Sequence, residues 1–185
     1  MSGGGTRPGA HATSNGPGRR TGPGPRIAVV GAGVSGLSCA ACLLAAGADV
    51  TVLAREVSPA NTSDVAAAFW YPYRAGPRER VAAWGATTYR RLRALAADPA
   101  TGVVRRPIVH RYAGPAPEPW WNGPVEDFRP LEDVDRFGPW IDGYRYVTYL
   151  ADTSRYMPWL AARVEAAGGR IERAEVGSLD ELRGR

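Results

Sequence analysis

Gly31, Gly33 and Gly36 stand in the spacing G-x-G-x-x-G. Between an apolar strand and a helix, that spacing suits a pyrophosphate: the first glycine allows a tight turn, the second lets backbone approach the ligand, and the third lets helix and strand pack closely. The first-turn N–H groups that follow, around Val34 and Ser35, lack partners within their own helix. With the helix dipole they favour an anion. The ligand class that follows is an adenine dinucleotide. An acidic residue about 20 positions further on normally bonds the ribose hydroxyls, and Glu56 holds that place. Arg55 beside it is suited to a 2′-phosphate, so these residues alone leave FAD, NAD and NADP open.

Residues 58–73 form the second chemically informative stretch. Asn61, Thr62 and Ser63 cluster hydroxyl and amide groups; Ala66, Ala67 and Ala68 are small; Phe69, Trp70 and Tyr71 follow in a row before Pro72. Small residues admit a flat ligand, hydroxyls bond phosphate, and aromatics wall a pocket. A loop feeding a buried strand has the same composition, and composition does not choose between them.

Cys39 and Cys42, the only cysteines, are spaced C-x-x-C. A zinc site needs about four ligands, and His11 and His110 are the only histidines. A thioredoxin-like pair belongs at a helix start, whereas this one falls mid-helix. The expectation is therefore small, buried packing residues and no metal site. His110, alone in an extended segment, reads as structural. No Ser–His–Asp or Cys–His arrangement can be assembled, so no catalytic residue is assigned.

These residues need a frame. Arg26–Val30 reads as the strand before the glycine turn, Leu37–Ala46 as the helix after it, and Asp49–Leu53 as the second strand, completing a β-α-β unit. Residues 78–97 read as an amphipathic helix with Val81, Trp84, Gly85, Thr88, Leu92 and Leu95 inward. Val103-Val104, Ile108–Tyr112 and Tyr144–Leu150 read as extended. Residues 154–167 read as a helix with Leu160, Ala161, Val164 and Ala167 inward, capped from Asp152, Thr153 or Ser154, with Pro158 tolerated only in its first turn. Residues 170–176 then return as a strand through a right-handed crossover.

The 185 residues carry a net charge of +5. Arg7, Arg19 and Arg20 lie in residues 1–25 with no acid, which places much of the positive charge on a Gly- and Pro-rich segment expected to be a solvated, disordered tail. This distribution argues against a nucleic-acid partner. No apolar run is long enough to span a membrane. The tail lacks a secretory core, and a twin-arginine reading of Arg19-Arg20 would place cleavage in the nucleotide site. Asn61-Thr62-Ser63 matches a glycosylation sequon, but nothing else points to secretion. The chain reads as cytoplasmic, without a disulfide framework.

Several stretches together resemble the N-terminal half of the D-amino-acid oxidase family, most closely its actinobacterial members. They are Val30–Leu37, Val52–Glu56, Thr62–Tyr73, Asp152–Leu160 and Ala167–Gly169, in register over about residues 26–182. The narrowest of them is Ser-Asp-Val-Ala-Ala with Trp-x-Pro-Tyr after it. The resemblance implies FAD as the cofactor and an α/β fold. In that fold a Rossmann-like FAD-binding domain (residues 26–98 plus 151–182) accompanies part of a smaller α+β substrate domain (residues 99–150). It also implies that Gly31, Ala32, Gly33, Val34, Ser35 and Gly36 hold the pyrophosphate region and that Arg55 and Glu56 meet the adenosine. Asn61, Thr62 and Ser63 would lie on a flavin-binding turn, with Ala67, Ala68 and Phe69 beside the isoalloxazine. Val176 would touch the adenine side, and Phe69 and Tyr71 would lie near the substrate. Ala68 replaces the family's usual glycine, and Asn61 a usual threonine or serine.

The resemblance implies oxidative deamination of D-amino acids to 2-oxo acids, ammonia and hydrogen peroxide, with O₂ as acceptor. It also implies an absence: the family's second half, which supplies the tyrosine and arginine that clamp the substrate carboxylate, has no counterpart here. Three readings follow. The chain is one part of a split or truncated oxidase with a complementing C-terminal half as partner, a non-catalytic FAD-binding remnant, or a small NAD(P)-binding protein using Arg55.

Overall fold

The computed structural model describes residues 24–132 and 138–183. The expected tail therefore lies outside the described residues, apart from Gly24 and Pro25. Strand β1 (Arg26–Val30), helix α1 (Val34–Ala45) and strand β2 (Asp49–Ala54) form the anticipated unit. A short 3-10 turn at Thr62–Asp64 precedes helix α2 (Arg78–Leu95). Strands β3 (Val103–Tyr112), β4 (Glu126–Pro130) and β5 (Asp142–Ala151) follow, then helix α3 (Thr153–Ala166) and strand β6 (Arg170–Arg173).

The strands make two sheets, a parallel one in the order β1-β2-β6 and an antiparallel one in the order β3-β5-β4. In the parallel sheet Val29 lies opposite Val52, and Val52 opposite Ile171. Val50 and Val52 are buried against Leu37 and Ala40 of α1 and Met157, Leu160 and Val164 of α3, so both helices cover one face. The second core is aromatic: Trp70, Tyr89, Trp121, Tyr144, Tyr146 and Tyr149 pack between the antiparallel sheet and α2. Rings of this size bury large apolar areas and prefer edge-on contacts, as between Trp70 and Tyr89 at 5.1 Å and 76°.

Several expectations need correction. Cys39 and Cys42 are exposed, not buried. Leu37 and Ala40 face the sheet, and each cysteine lies two residues further on, about 200° around the helix. In α2, Trp84 is 61% exposed and Thr88 is also exposed, while Tyr89, absent from the expected stripe, is 1% exposed. The inward face runs through Gly85, where the Trp70 indole donates to the Gly85 carbonyl at 2.9 Å. In α3, Ala167 is exposed and lies past the last turn, and Met157 takes an inward place instead. Pro158 sits inside the helix rather than in its first turn, on an exposed position where the missing N–H faces no buried acceptor.

The segment expected as two short extended pieces is one strand, β3, running through Pro107. It lies at a sheet edge, where proline is tolerated because no ladder bond is required on the open side. Strand β4 was not anticipated. The last strand stops at Arg173, although Ala174 still donates to the Ala54 carbonyl at 3.0 Å.

Candidate functional site

The glycine turn closes on the end of β2. Gly31 has φ +105°, a left-handed value that glycine adopts readily, and its N–H donates to the Leu53 carbonyl at 2.8 Å. A Cβ at Gly31 would meet nothing within 4 Å, so the backbone there is open to a ligand. A Cβ at Gly36 would run into the Gly31 carbonyl, so this glycine is what lets α1 start so close to the turn. Gly33 is the N-cap of α1 in extended conformation, with no side chain to cap the helix. The cap comes from elsewhere: Ser63 Oγ accepts from the Val34 N–H at 3.0 Å. A Cβ on Gly33 would stand 3.0 Å from that hydroxyl, so Gly33 makes room for Ser63 as well as for a ligand.

The 3-10 turn is fixed from both sides. Asn61 Oδ1 accepts from the Ser63 N–H at 2.9 Å, and Asp64 Oδ2 accepts from the Asn61 N–H at 2.9 Å, a reciprocal capping box. Ser58 donates to Asp64 Oδ1 at 2.6 Å. Asn61 Nδ2 reaches the Ala32 carbonyl at 3.4 Å, so the sequon asparagine is engaged within the fold. Thr153, at the start of α3, donates to the Asp64 carbonyl at 2.8 Å.

Around these elements lies an open cavity of about 380 Å³. It brings together Gly31, Ala32, Gly33, Arg55, Glu56, Asn61, Thr62, Ser63 and Val176, all singled out in the sequence. Ala174 and Glu175 also line it and were missed, because the sequence reads them as part of a strand that in the structure ends at Arg173. A second, mainly apolar cavity of about 530 Å³ adjoins it. Ala67, Ala68 and Phe69 line this one, with Val34 at the head of α1, and Ser63 borders both cavities. Tyr156 and Met157 of α3 also line it; the inward positions expected for that helix did not include them. Ser35 and Gly36 lie in the first turn of α1.

Tyr71 lines neither cavity. Its ring lies 6.1 Å from Phe69 on one side and 4.7 Å from His110 on the other, inside the aromatic core. Burial raises the Tyr71 phenol above its ordinary value, beside the Tyr112 and Tyr144 hydroxyls, which bond each other at 2.9 Å. His110 shares a 3.2 Å hydrogen bond with the Tyr146 hydroxyl, and burial pushes its imidazole below the usual 6.5. It is therefore a neutral packing group, away from both cavities. Among the described residues no cluster of three or more His, Cys, Asp or Glu could hold a metal. No described helix is long and apolar enough to cross a membrane.

A glycine turn over a cavity at the carboxyl ends of parallel strands defines a dinucleotide-binding α/β protein. The comparisons with known proteins narrow the class. The family model for FAD dependent oxidoreductases matches residues 26–185, and the chain belongs to that family. It is 46% identical over 157 residues to a D-amino-acid oxidase of Rubrobacter xylanophilus, covering 84% of this chain and 48% of the relative. It is 33% identical over 171 residues to a human D-aspartate oxidase, covering 85% and 49%. Among solved structures, an L-amino acid deaminase from Proteus vulgaris superposes with TM-score 0.62 at 16% identity, covering 82% of this chain and 40% of that one. A glycine oxidase from Bacillus cereus gives 0.59 at 19%, covering 79% and 46%. The two structures share the fold. The chain spans about half the length of the curated relatives it matches.

The residues present fit FAD. Open backbone at Gly31, the N-terminal end of α1 (whose Val34 N–H is already capped by Ser63) and the acidic Glu56 suit its adenosine diphosphate part, and the adjoining apolar cavity suits a flat ring system. Family membership resolves the choice left open by Arg55 in favour of FAD.

Proposed function

We propose that this chain is the nucleotide-binding part of an FAD-dependent oxidase of D-amino acids, with O₂ as acceptor. The observation that carries this reading is the junction of the two cavities at Ser63, in a chain 46% identical to a D-amino-acid oxidase. The first cavity takes the adenosine and pyrophosphate, with Glu56 and Arg55 at the adenosine end and Val176 on the adenine side. The second takes the flavin end, against Ala67, Ala68 and Phe69. When bound, FAD supplies hydride acceptance from an amino-acid Cα. The chain's own part is to bind and orient: Gly31 to Gly36 face the anion, Ser63 joins the two cavities, and the alanine stretch excludes water from one ring face. Phe69, with Tyr71 behind it, faces the substrate side.

We assign the nucleotide domain to residues 26–98 plus 151–182 and the partial substrate domain to 99–150. Because Tyr89 and Leu92 of α2 pack in the aromatic core, α2 forms the seam between them. Two free thiols fit a reducing compartment, and the cytoplasm is the one this reading assigns. A specific observation favours a second reading: Val109 of β3 and Ile141 just before β5, 39% and 57% exposed, stand uncovered on the antiparallel sheet, whose edge strand is β3. On that reading the chain binds flavin but does not turn over until a complementing half, carrying a clamp for the substrate carboxylate, covers this edge.

The test is the visible spectrum of the FAD-loaded chain before and after anaerobic D-alanine. Bleaching supports an oxidase. A yellow chain that D-alanine does not bleach supports the second reading, and co-expression with a C-terminal half should then restore bleaching. A chain that stays colourless with FAD sinks both.

A further inference from the structure

Cysteine is among the residue types most often fully buried, yet both cysteines of this chain lie on the outer face of α1. Leu37 and Ala40 occupy the sheet-facing side of the same helix. Cys39 and Cys42 are three residues apart, on adjacent turns of one face, and the chain has no third cysteine to pair with either. On a regular helix this spacing sets the Cβ atoms about 5–6 Å apart. A disulfide requires about 3.5–4.5 Å, so direct closure would deform the helix. A bridging ion imposes no such demand. Two thiolate–metal bonds of about 2.3 Å each span the gap by side-chain rotation alone.

The described residues offer the ion two sulfurs. Among the described residues no cluster of three or more His, Cys, Asp or Glu offers a fuller ligand set. A tetrahedral zinc site would be left with half its ligands. Soft thiolates select soft ions such as copper(I).

We propose that Cys39 and Cys42 form a two-sulfur site for a soft, thiophilic monovalent cation of the copper(I) class. Each thiol releases its proton to solvent as its sulfur bonds the metal, and no electron is transferred. The site lies two turns along α1 from the glycine turn, about 9–13 Å by helical rise, so its occupant does not enter the nucleotide cavity. The proposal does not depend on the flavin reading.

The test is an anaerobic titration of the reduced 185-residue chain with copper(I) against a chromophoric competing chelator. A colorimetric thiol count runs in parallel. The expected result is one ion per chain and a fall in reactive thiols from two to none. Cys39→Ser and Cys42→Ser should each weaken binding at least about 100-fold, because each removes the second anchor of a chelate. Both side chains point outward, so circular dichroism should show the variants folded. Cys39→Ala and Cys42→Ala serve as second variants if serine perturbs the helix. Three results would overturn the proposal. They are single variants that bind within a few-fold of the parent, thiols that react only after denaturation, or a disulfide forming under mild oxidation with the helix intact.

Discussion

Ser63 Oγ accepts a hydrogen bond from the Val34 N–H at 3.0 Å, so α1 receives its N-terminal cap from a residue 29 positions downstream. Gly33, the local N-cap, has no side chain to offer. Ser63→Ala is expected to cost about 0.5–2 kcal/mol, the usual range for a lost cap. Urea denaturation reads this loss. FAD affinity, followed by flavin fluorescence, should fall in the same variant, because Ser63 borders both cavities.

Gly36→Ala should be more damaging than its single added methyl suggests. The new Cβ would collide with the Gly31 carbonyl, which is backbone and cannot rotate away. Overpacking of this kind costs about 1–3 kcal/mol. Here the strain falls on the glycine turn, so flavin binding should be lost while far-ultraviolet circular dichroism still reports a folded chain.

Tyr89 is a buried hydroxyl with two partners, donating to the Val147 carbonyl at 3.0 Å and accepting from the Glu126 N–H at 3.2 Å. Tyr89→Phe keeps the ring contacts and leaves both backbone groups short of a partner. The expected loss is about 1–3 kcal/mol, measured as a lower denaturation midpoint with an unchanged slope. An unchanged midpoint would mean that solvent reaches the carbonyl of Val147.

His110 gives stability a pH dependence of known sign. Burial holds its folded value below 6.5, the value of the unfolded chain. Just below pH 6.5 the unfolded state binds more protons, so stability falls as pH falls. The contribution is complete above pH 6.5 and is lost as pH drops through the lower, folded value. Denaturation midpoints of the parent and of His110→Phe across this range should show a steeper acid slope in the parent. Equal slopes would assign the acid sensitivity to other groups.

The β-α-β unit was legible because its signals are local: an apolar strand, three spaced glycines and a short return to Asp49. Arg55 and Asn61–Ser63 were legible as ligand-facing residues from spacing and composition, but Val176 entered the cavity only through family resemblance, since nothing local ties it to Gly31. The cysteines were misplaced because small residues fill most of α1, and Ala40 and Ala41 leave the phase of its inward face undecided. In α2 the bulk of Trp84 drew the expected stripe past Tyr89, although it included Gly85, and the hydroxyl that makes Tyr89 look polar is satisfied inside. Strand β4, Glu-Asp-Phe-Arg-Pro, has little intrinsic strand preference. It is held by the tertiary pairing of Arg129 with Arg145 and by the bond from Arg105 to Glu126 at 3.0 Å.

Thr153 and Asp64 meet across 89 residues of chain, and β2 finds its partner β6 only after α1, α2 and α3 have been made. A nascent chain will carry the complete glycine turn long before it has a finished pocket. Contacts so distant in sequence slow folding, because a long loop must close before any of them is made. The nucleotide therefore meets its site late in synthesis, and a chain halted near residue 150 would display the fingerprint without the wall that gives it a ligand.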